Sequence, residues 1–256
     1  MSTLSFPNRQ SGHEDHAPQP SSGRSRSLSL RHESTMLTPQ QMEDRSLICR
    51  SSVARPDVDA FRELRTRLLA MTTNNFVALV APVSAGCGGS FVARNLAAAM
   101  AFDETKTALL IDCDLRHPSQ HATMHIEPVS GGLIDYLENP DDERGELSFE
   151  SVLYQTGVPG LNLMPAGAMR EAGIEYFSSV RMRLMLDSIR SRHPDCYMFL
   201  DSPPVLGSPE ARILADLADI VVLVAGYGRN TPQAIAQAAA NFDPEKFAGV
   251  VFNQGV

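Results

Sequence analysis

Residues 81–90, APVSAGCGGS, have the outline of a phosphate-binding loop in which Gly89 stands where the loop's lysine belongs. In the GxxxxGK[ST] loop, backbone N–H groups cradle phosphates, the lysine reaches the β and γ phosphates, and the final hydroxyl binds Mg²⁺. Gly86, Gly88, Gly89 and Ser90 keep the backbone and hydroxyl parts, and the cation is missing. The flanks suit such a loop. FVALV at 76–80 is an apolar run of strand length, and FVARNLAAAMA after Ser90 is alanine-rich and free of helix breakers. A glycine turn at a helix N-terminus holds an anion through unpaired N–H groups and the helix dipole, even without a side-chain cation. A tight turn that simply needs glycines is the competing reading of this segment alone.

Two later segments favour the phosphate loop. ALLIDCDLRHP at 108–118 reads as a buried strand ending in Asp112 and Asp114, two positions on the same face of an extended chain. MFLDSPP at 198–204 is a second short apolar strand, with Asp201 at its carboxyl end and prolines stopping it. Open parallel sheets bind ligands at the carboxyl ends of their strands. A glycine turn and three carboxylates delivered to one edge suit a Mg²⁺–nucleotide site, with Ser90, Asp112 and Asp201 as the metal-side oxygens. A lone strand-end Asp would more often be a cap or turn residue.

In order, the glycine loop, IDCDLRHPSQH at 111–121, FLDSPPVL at 199–206, ADIVVLVA at 218–225 and GVVFNQG at 249–255 resemble the cytoplasmic domain of bacterial tyrosine autokinases that work with polysaccharide co-polymerases. DAFRELRTRL at 59–68 is similar to that family's ExxRxxR helix, with Asp59 in place of Glu and with Arg62 and Arg65 kept. The resemblance runs from about Asp57 to Val256. It implies an α/β, P-loop NTPase-like fold, a mostly parallel twisted sheet with helices on both faces. It also implies ATP and Mg²⁺ as cofactors, Asp112, Asp114 and Asp201 as catalytic carboxylates, and a separate inner-membrane co-polymerase as partner. Arg62 and Arg65 would then contact a neighbouring subunit, in a homo-oligomer, or that partner.

The departures carry as much weight. Where the family loop reads PGEGK[ST], this chain has Ala85, Gly86, Cys87, Gly88, Gly89 and Ser90, so the acidic residue and the lysine are both replaced. Phosphoryl transfer depends on stabilising charge on the transferred group, so losing the cation costs roughly 10²-fold or more in rate. Nucleotide binding is expected to be weak or lost. Arg94, one turn after Ser90, is expected to be a solvated helix residue directed away from the loop. The family's tyrosine-rich tail has no counterpart, because Tyr136, Tyr154, Tyr176, Tyr197 and Tyr227 are scattered. In the segment resembling the family's NPxELL turn, 172–177 read AGIEYF and keep only Glu175.

Composition points to a cytoplasmic chain, and the resemblance implies one that is peripheral at the inner membrane through its partner. No stretch of about 18 apolar residues and no leader-like segment is present. The net charge of −8 argues against nucleic acid as a partner. Residues 1–56 are rich in Ser, Pro, Gln, Arg and His and are expected to be a disordered tail before a single domain at 57–256. Within the domain, helices are expected at 57–71, 90–102, 174–192, 208–217 and 231–241, and strands at 76–81, 107–112, 161–164, 196–201, 219–225 and 248–253, with a polar excursion at 138–150. Phe177, Val180, Leu184 and Ile189 would form the core face of helix 174–192. Cys49, Cys87, Cys113 and Cys196 lack metal spacing and read as reduced thiols, Cys87 also as a redox switch over the loop. His117, His121 and His125 lack supporting carboxylates for zinc.

Three functions stand side by side: a degenerate tyrosine-kinase-like protein (a pseudokinase) supporting exopolysaccharide biosynthesis or export, an active Mg²⁺–ATP-dependent tyrosine kinase or ATPase with a non-standard loop, and a MinD/ParA-type positioning ATPase. Against the last stands the lack of that class's early loop lysine near Ala85.

Overall fold

The computed structural model describes residues 36–50, 55–138, 148–171 and 173–254. Residues 1–35, and 139–147 of the polar excursion, lie outside the described residues. In chain order the elements are α1 (Pro39–Asp44), α2 (Pro56–Met71), β1 (Val77–Pro82), α3 (Gly89–Ala101), β2 (Thr107–Asp112), α4 (Gln120–Thr123), α5 (Leu133–Glu138), a 3₁₀ turn (Phe149–Val152), β3 (Tyr154–Gln155) and β4 (Leu161–Met164). Then follow α6 (Ile174–Phe177), α7 (Val180–Arg192), β5 (Cys196–Asp201), α8 (Glu210–Leu217), β6 (Ile220–Gly226), α9 (Pro232–Ala239) and β7 (Phe247–Asn253). They build one seven-stranded sheet in the order β3-β4-β2-β5-β1-β6-β7, parallel throughout except for the β3–β4 pair.

The strands are apolar without alternation because both faces of the sheet are covered. Every residue of β1, β2, β4, β5 and β6 is buried. Odd positions of β1 (Val77, Leu79, Ala81) pack with Ile134, Phe177, Met182, Ile189 and Leu214 from α5 to α8. Phe76 and the even positions (Ala78, Val80) pack with Phe61 of α2 and with α3 on the other face. Alanines at 97, 98 and 99 let α3 lie close to the sheet, with α2 outside it. The carboxyl ends of β1, β2 and β5, adjacent in the sheet, therefore open at the N-terminus of α3.

The structure corrects two expectations. The disordered tail expected to reach residue 56 does not do so, because 36–50 is ordered on α3. Thr38 and Gln41 form a capping box that starts α1. Met42, Leu47 and Ile48 are buried. The Ile48 amide donates to Asn95 Oδ1 at 2.7 Å, and Asn95 Nδ2 donates to the Ser46 carbonyl at 2.9 Å. Three apolar anchors and a buried amide clamp offset the ordering entropy that a composition argument counts alone. Likewise, helix 174–192 is interrupted after Phe177, and Ser179 restarts it by accepting from the Met182 amide. The break rotates the buried face to Met182, Met185, Leu186 and Ile189, leaving Val180 and Leu184 72% and 62% exposed.

Candidate functional site

The loop between β1 and α3 is shaped by glycines in two ways. Gly86 and Gly88 are left-handed, at φ 77° and 80°, conformations that disfavour a side chain. Gly88 caps α3 without a side-chain acceptor, leaving the first-turn amides free for an external anion. At Gly89 the restriction is steric. A Cβ there would lie 2.8 Å from both Cγ and Cδ of Pro82 and 3.0 Å from its Cβ. The ring at the end of β1 thus fills the place where a lysine at 89 would begin.

Two asparagines hold the loop from the far side. Asn253, at the end of β7, donates to the Cys87 carbonyl at 3.0 Å. Asn230 Oδ1 accepts from Cys87 Sγ and from the Gly226 amide, each at 2.9 Å, and its Nδ2 donates to Ser84 Oγ at 2.9 Å. Cys87 is fully buried in this lattice of bonds. It therefore ties the loop together: Cys87 borders the cleft, but its thiol is buried and committed to Asn230, without the exposure that the redox-switch reading requires.

The carboxylates assemble as the strand ends suggest. Asp112 and Asp201 are register partners on β2 and β5 and are both fully buried. Asp112 Oδ2 accepts from the Ser119 and Gln120 amides at 3.0 Å, and its Oδ1 accepts from the Asp114 amide at 3.2 Å. Asp201 Oδ2 accepts from Gln120 Nε2 at 2.6 Å, and the Ser90 hydroxyl nearby favours the charged carboxylate. Among the described residues Asp201 Oδ1 is buried with no partner. Burial pushes both carboxyl groups above the usual range. For Asp112 the neighbouring Asp201 adds to the shift, against three backbone donors. For Asp201 the Gln120 bond and the Ser90 hydroxyl oppose it. Two facing acids with an orphaned oxygen beside a serine hydroxyl form a hard-oxygen set that fits Mg²⁺. No group of three or more His, Cys, Asp or Glu among the described residues makes a metal centre, so such an ion would complete its shell with water and phosphate.

Asp114 stands apart from this pair. Its side chain is 16% exposed, and it accepts from the His117 amide at 3.0 Å. It lines, with Gly86, Gly89, Ser90, Arg116 and Pro203, a cleft of about 470 Å³, a size suited to a small ligand. Arg116 is already engaged, by Glu210 at 2.9 Å and by the Glu171 carbonyl at 2.7 Å.

Arg94 departs from expectation. It is only 4% exposed, and its Nη1 donates to Gln120 Oε1 at 2.8 Å. Almost every position of α3 is covered by the sheet, α2 or the 36–50 segment, so no solvent face exists at 94. Burial lowers its pKa, opposed by attraction to Asp201 and Asp112. Gln120 links Arg94, Asp201 and the Ser90 carbonyl. Its side-chain role is invisible in sequence, although it stands in the IDCDLRHPSQH segment. Arg62 and Arg65 are not brought to this cleft. Arg62 is held by Asp59 and the Arg50 carbonyl, and Arg65 donates to the Ala99 carbonyl near the far end of α3.

No family model matches the chain. It is 36% identical over 206 residues to the putative tyrosine-protein kinase EpsB of Ralstonia solanacearum, covering 77% of this chain and 26% of that protein. It is 30% identical over 200 residues to the tyrosine-protein kinase Wzc of Salmonella typhimurium, with the same coverage. The chain thus spans about a quarter of the length of these curated relatives. The solved BceF tyrosine kinase domain superposes with a TM-score of 0.66 at 28% identity, covering 84% of this chain and 85% of that one. In sequence and in fold the chain belongs to the bacterial tyrosine autokinase family of kinase domains.

Proposed function

We propose that this chain is a degenerate tyrosine-kinase-like domain that supports exopolysaccharide or capsule production through an inner-membrane co-polymerase, binding Mg²⁺–nucleotide weakly and no longer transferring phosphate efficiently. The observation that carries this reading is the Pro82 ring in the space a lysine at 89 needs. The loop is thereby built around the missing cation, while its anion-binding amides and paired acids stay assembled.

In this reading the amides following Gly88 would hold the phosphates, and Ser90, Asp112 and Asp201 would hold Mg²⁺, which when bound would supply charge neutralisation at the phosphates. Gln120 fixes Asp201, and the Ser119 and Gln120 amides fix Asp112. Asp114 faces the cleft where a polar ligand group would lie. Without a lysine the charge that grows on the transferred group is under-stabilised, which lowers the transfer rate roughly 10²-fold or more. Arg62 and Arg65 on α2 are the proposed contact residues for a neighbouring copy or the partner. Among the described residues no helix is long and apolar enough to cross a membrane; in this reading membrane association comes through that partner.

The test is to incubate the chain and labelled ATP with solubilised membranes of the polymer-producing cell. The expected result is co-purification with the co-polymerase and no label on tyrosine. Labelled tyrosine on either protein would overturn the loss of transfer, and failure to co-purify would overturn the docking role.

A further inference from the structure

The loop lacks its lysine, Arg94 is committed to Gln120, and Arg116 is committed to Glu210 and Glu171. A third guanidinium reaches the loop from the opposite side. Arg229 follows β6, and its Nη1 lies 2.9 Å from where a Cβ on Gly86 would stand. Its stem folds back over Gly226, with Cδ, Cβ and Cγ at 3.1, 3.2 and 3.5 Å from the Cβ position there. Any side chain at 226 would meet that stem.

The turn carrying Arg229 is fixed to the phosphate loop itself. The Arg229 amide donates to the Gly226 carbonyl, and the neighbouring Asn230 bonds Cys87 and Ser84. The Tyr227 amide donates to the carbonyl of Asn253, whose side chain holds the Cys87 carbonyl. Yet among the described residues the Arg229 guanidinium makes no hydrogen bond or ion pair. By contrast Arg50, Arg55, Arg62, Arg67, Arg170 and Arg190 each have a carboxylate. An unpaired guanidinium held over left-handed Gly86, at the rim of a turn whose amides are free, is arranged for a bidentate phosphate.

We infer that Arg229 is the side-chain cation of this phosphate loop, taking the terminal phosphate of a nucleoside di- or triphosphate in place of the absent lysine. The inference rests on the nucleotide-site reading above and adds the residue that makes binding possible where position 89 is glycine. Because Arg229 approaches from the Gly86 side, and not from the first turn of α3, it neutralises bound phosphate without reproducing the lysine's placement. Retained binding with poor transfer follows.

The test is calorimetric titration of Mg·ADP and of tripolyphosphate into the full chain at two ionic strengths. Arg229→Gln is expected to weaken both ligands roughly tenfold or more and to flatten the salt dependence. Arg229→Lys is expected to restore affinity to within about threefold, since charge is retained while the fork is lost. Gly226→Ala leaves the charge intact but pushes the stem, and is expected to weaken binding as well. Native-like affinity and salt dependence in Arg229→Gln would overturn the assignment and leave the nucleotide site standing. No binding of either ligand by the native chain would overturn the nucleotide site and the assignment together. A melting temperature for Arg229→Gln close to native is expected and separates ligand contact from folding.

Discussion

Placing the missing lysine back into the loop is expected to fail on its own. In Gly89→Lys the new Cβ would stand 2.8 Å from Pro82 Cγ and Cδ, against a comfortable carbon–carbon separation of roughly 3.5–4.0 Å. Neither group can yield cheaply. Pro82 is a rigid ring whose carbonyl accepts from the Val205 amide at 2.9 Å, and residue 89 opens a helix buried along its length. Overpacking of this kind costs about 1–3 kcal/mol, partly offset by up to about 1 kcal/mol from replacing glycine in a helix. A net loss of about 1–2 kcal/mol corresponds to a melting point lower by roughly 2–8 °C for a domain of this size. Pro82→Ala removes Cγ and Cδ and leaves only the 3.0 Å approach to its Cβ, which a shift of a few tenths of an ångström relieves. A double-mutant cycle by urea unfolding should therefore show a favourable coupling of at least about 0.5 kcal/mol between Pro82→Ala and Gly89→Lys, and only the double variant should gain nucleotide affinity. Additive effects, or a single Gly89→Lys variant as stable as the native chain, would refute the matched-pair reasoning.

Three further outcomes are expected. Without Mg²⁺, stability should fall as pH rises from about 5 to 8: the folded values of Asp201 and Asp112 are raised to about 6 and about 8 from 3.8, so the folded state binds protons that the unfolded state has released. Urea midpoints at pH 5 and 8 check this, Mg²⁺ should blunt the fall, and a midpoint that climbs with pH contradicts it. Asn230→Ala removes the partner of Cys87, Ser84 and the Gly226 amide. It should cost about 1–3 kcal/mol and speed alkylation of Cys87, read by mass spectrometry; an unchanged rate would detach Asn230 from loop order. Ile48→Ala should destabilise the domain by about 2–5 kcal/mol, whereas a value near zero would return residues 36–50 to a dispensable tail.

Much of the sheet could be read from the chain because its strands are short apolar runs that end in chemistry. The expected bounds of 107–112, 161–164 and 196–201 match β2, β4 and β5, since each run stops where Asp, Pro or Gly stops it. The meeting of Asp112 with Asp201 followed from one general rule about strand ends. Residues whose partners are distant in sequence were not legible. Arg94 reads as solvated until α2 and the 36–50 segment are seen to cover α3. Pro82 falls just past the expected strand 76–81, and nothing local places its ring against Gly89. Arg229 and Asn230 reach the glycine loop across more than 140 positions of chain, and no local pattern announces that. Two signals were present and outweighed: the Thr38–Gln41 capping box by the composition of the tail, and the Ser179 cap that restarts α7 by the helical spacing of 174–192.

A single-turnover experiment tests the central claim most directly. Purified chain in excess over Mg²⁺ and γ-labelled ATP is sampled over time for bound nucleotide, released phosphate and phosphotyrosine. An assembled site without its lysine should show bound ATP turned over roughly 10²-fold or more below the usual kinase rate, at about 0.01–1 s⁻¹ or less. Transfer or hydrolysis at the roughly 1–100 s⁻¹ usual for kinases would contradict it, and would show that this loop has replaced its lysine in catalysis as well as in binding.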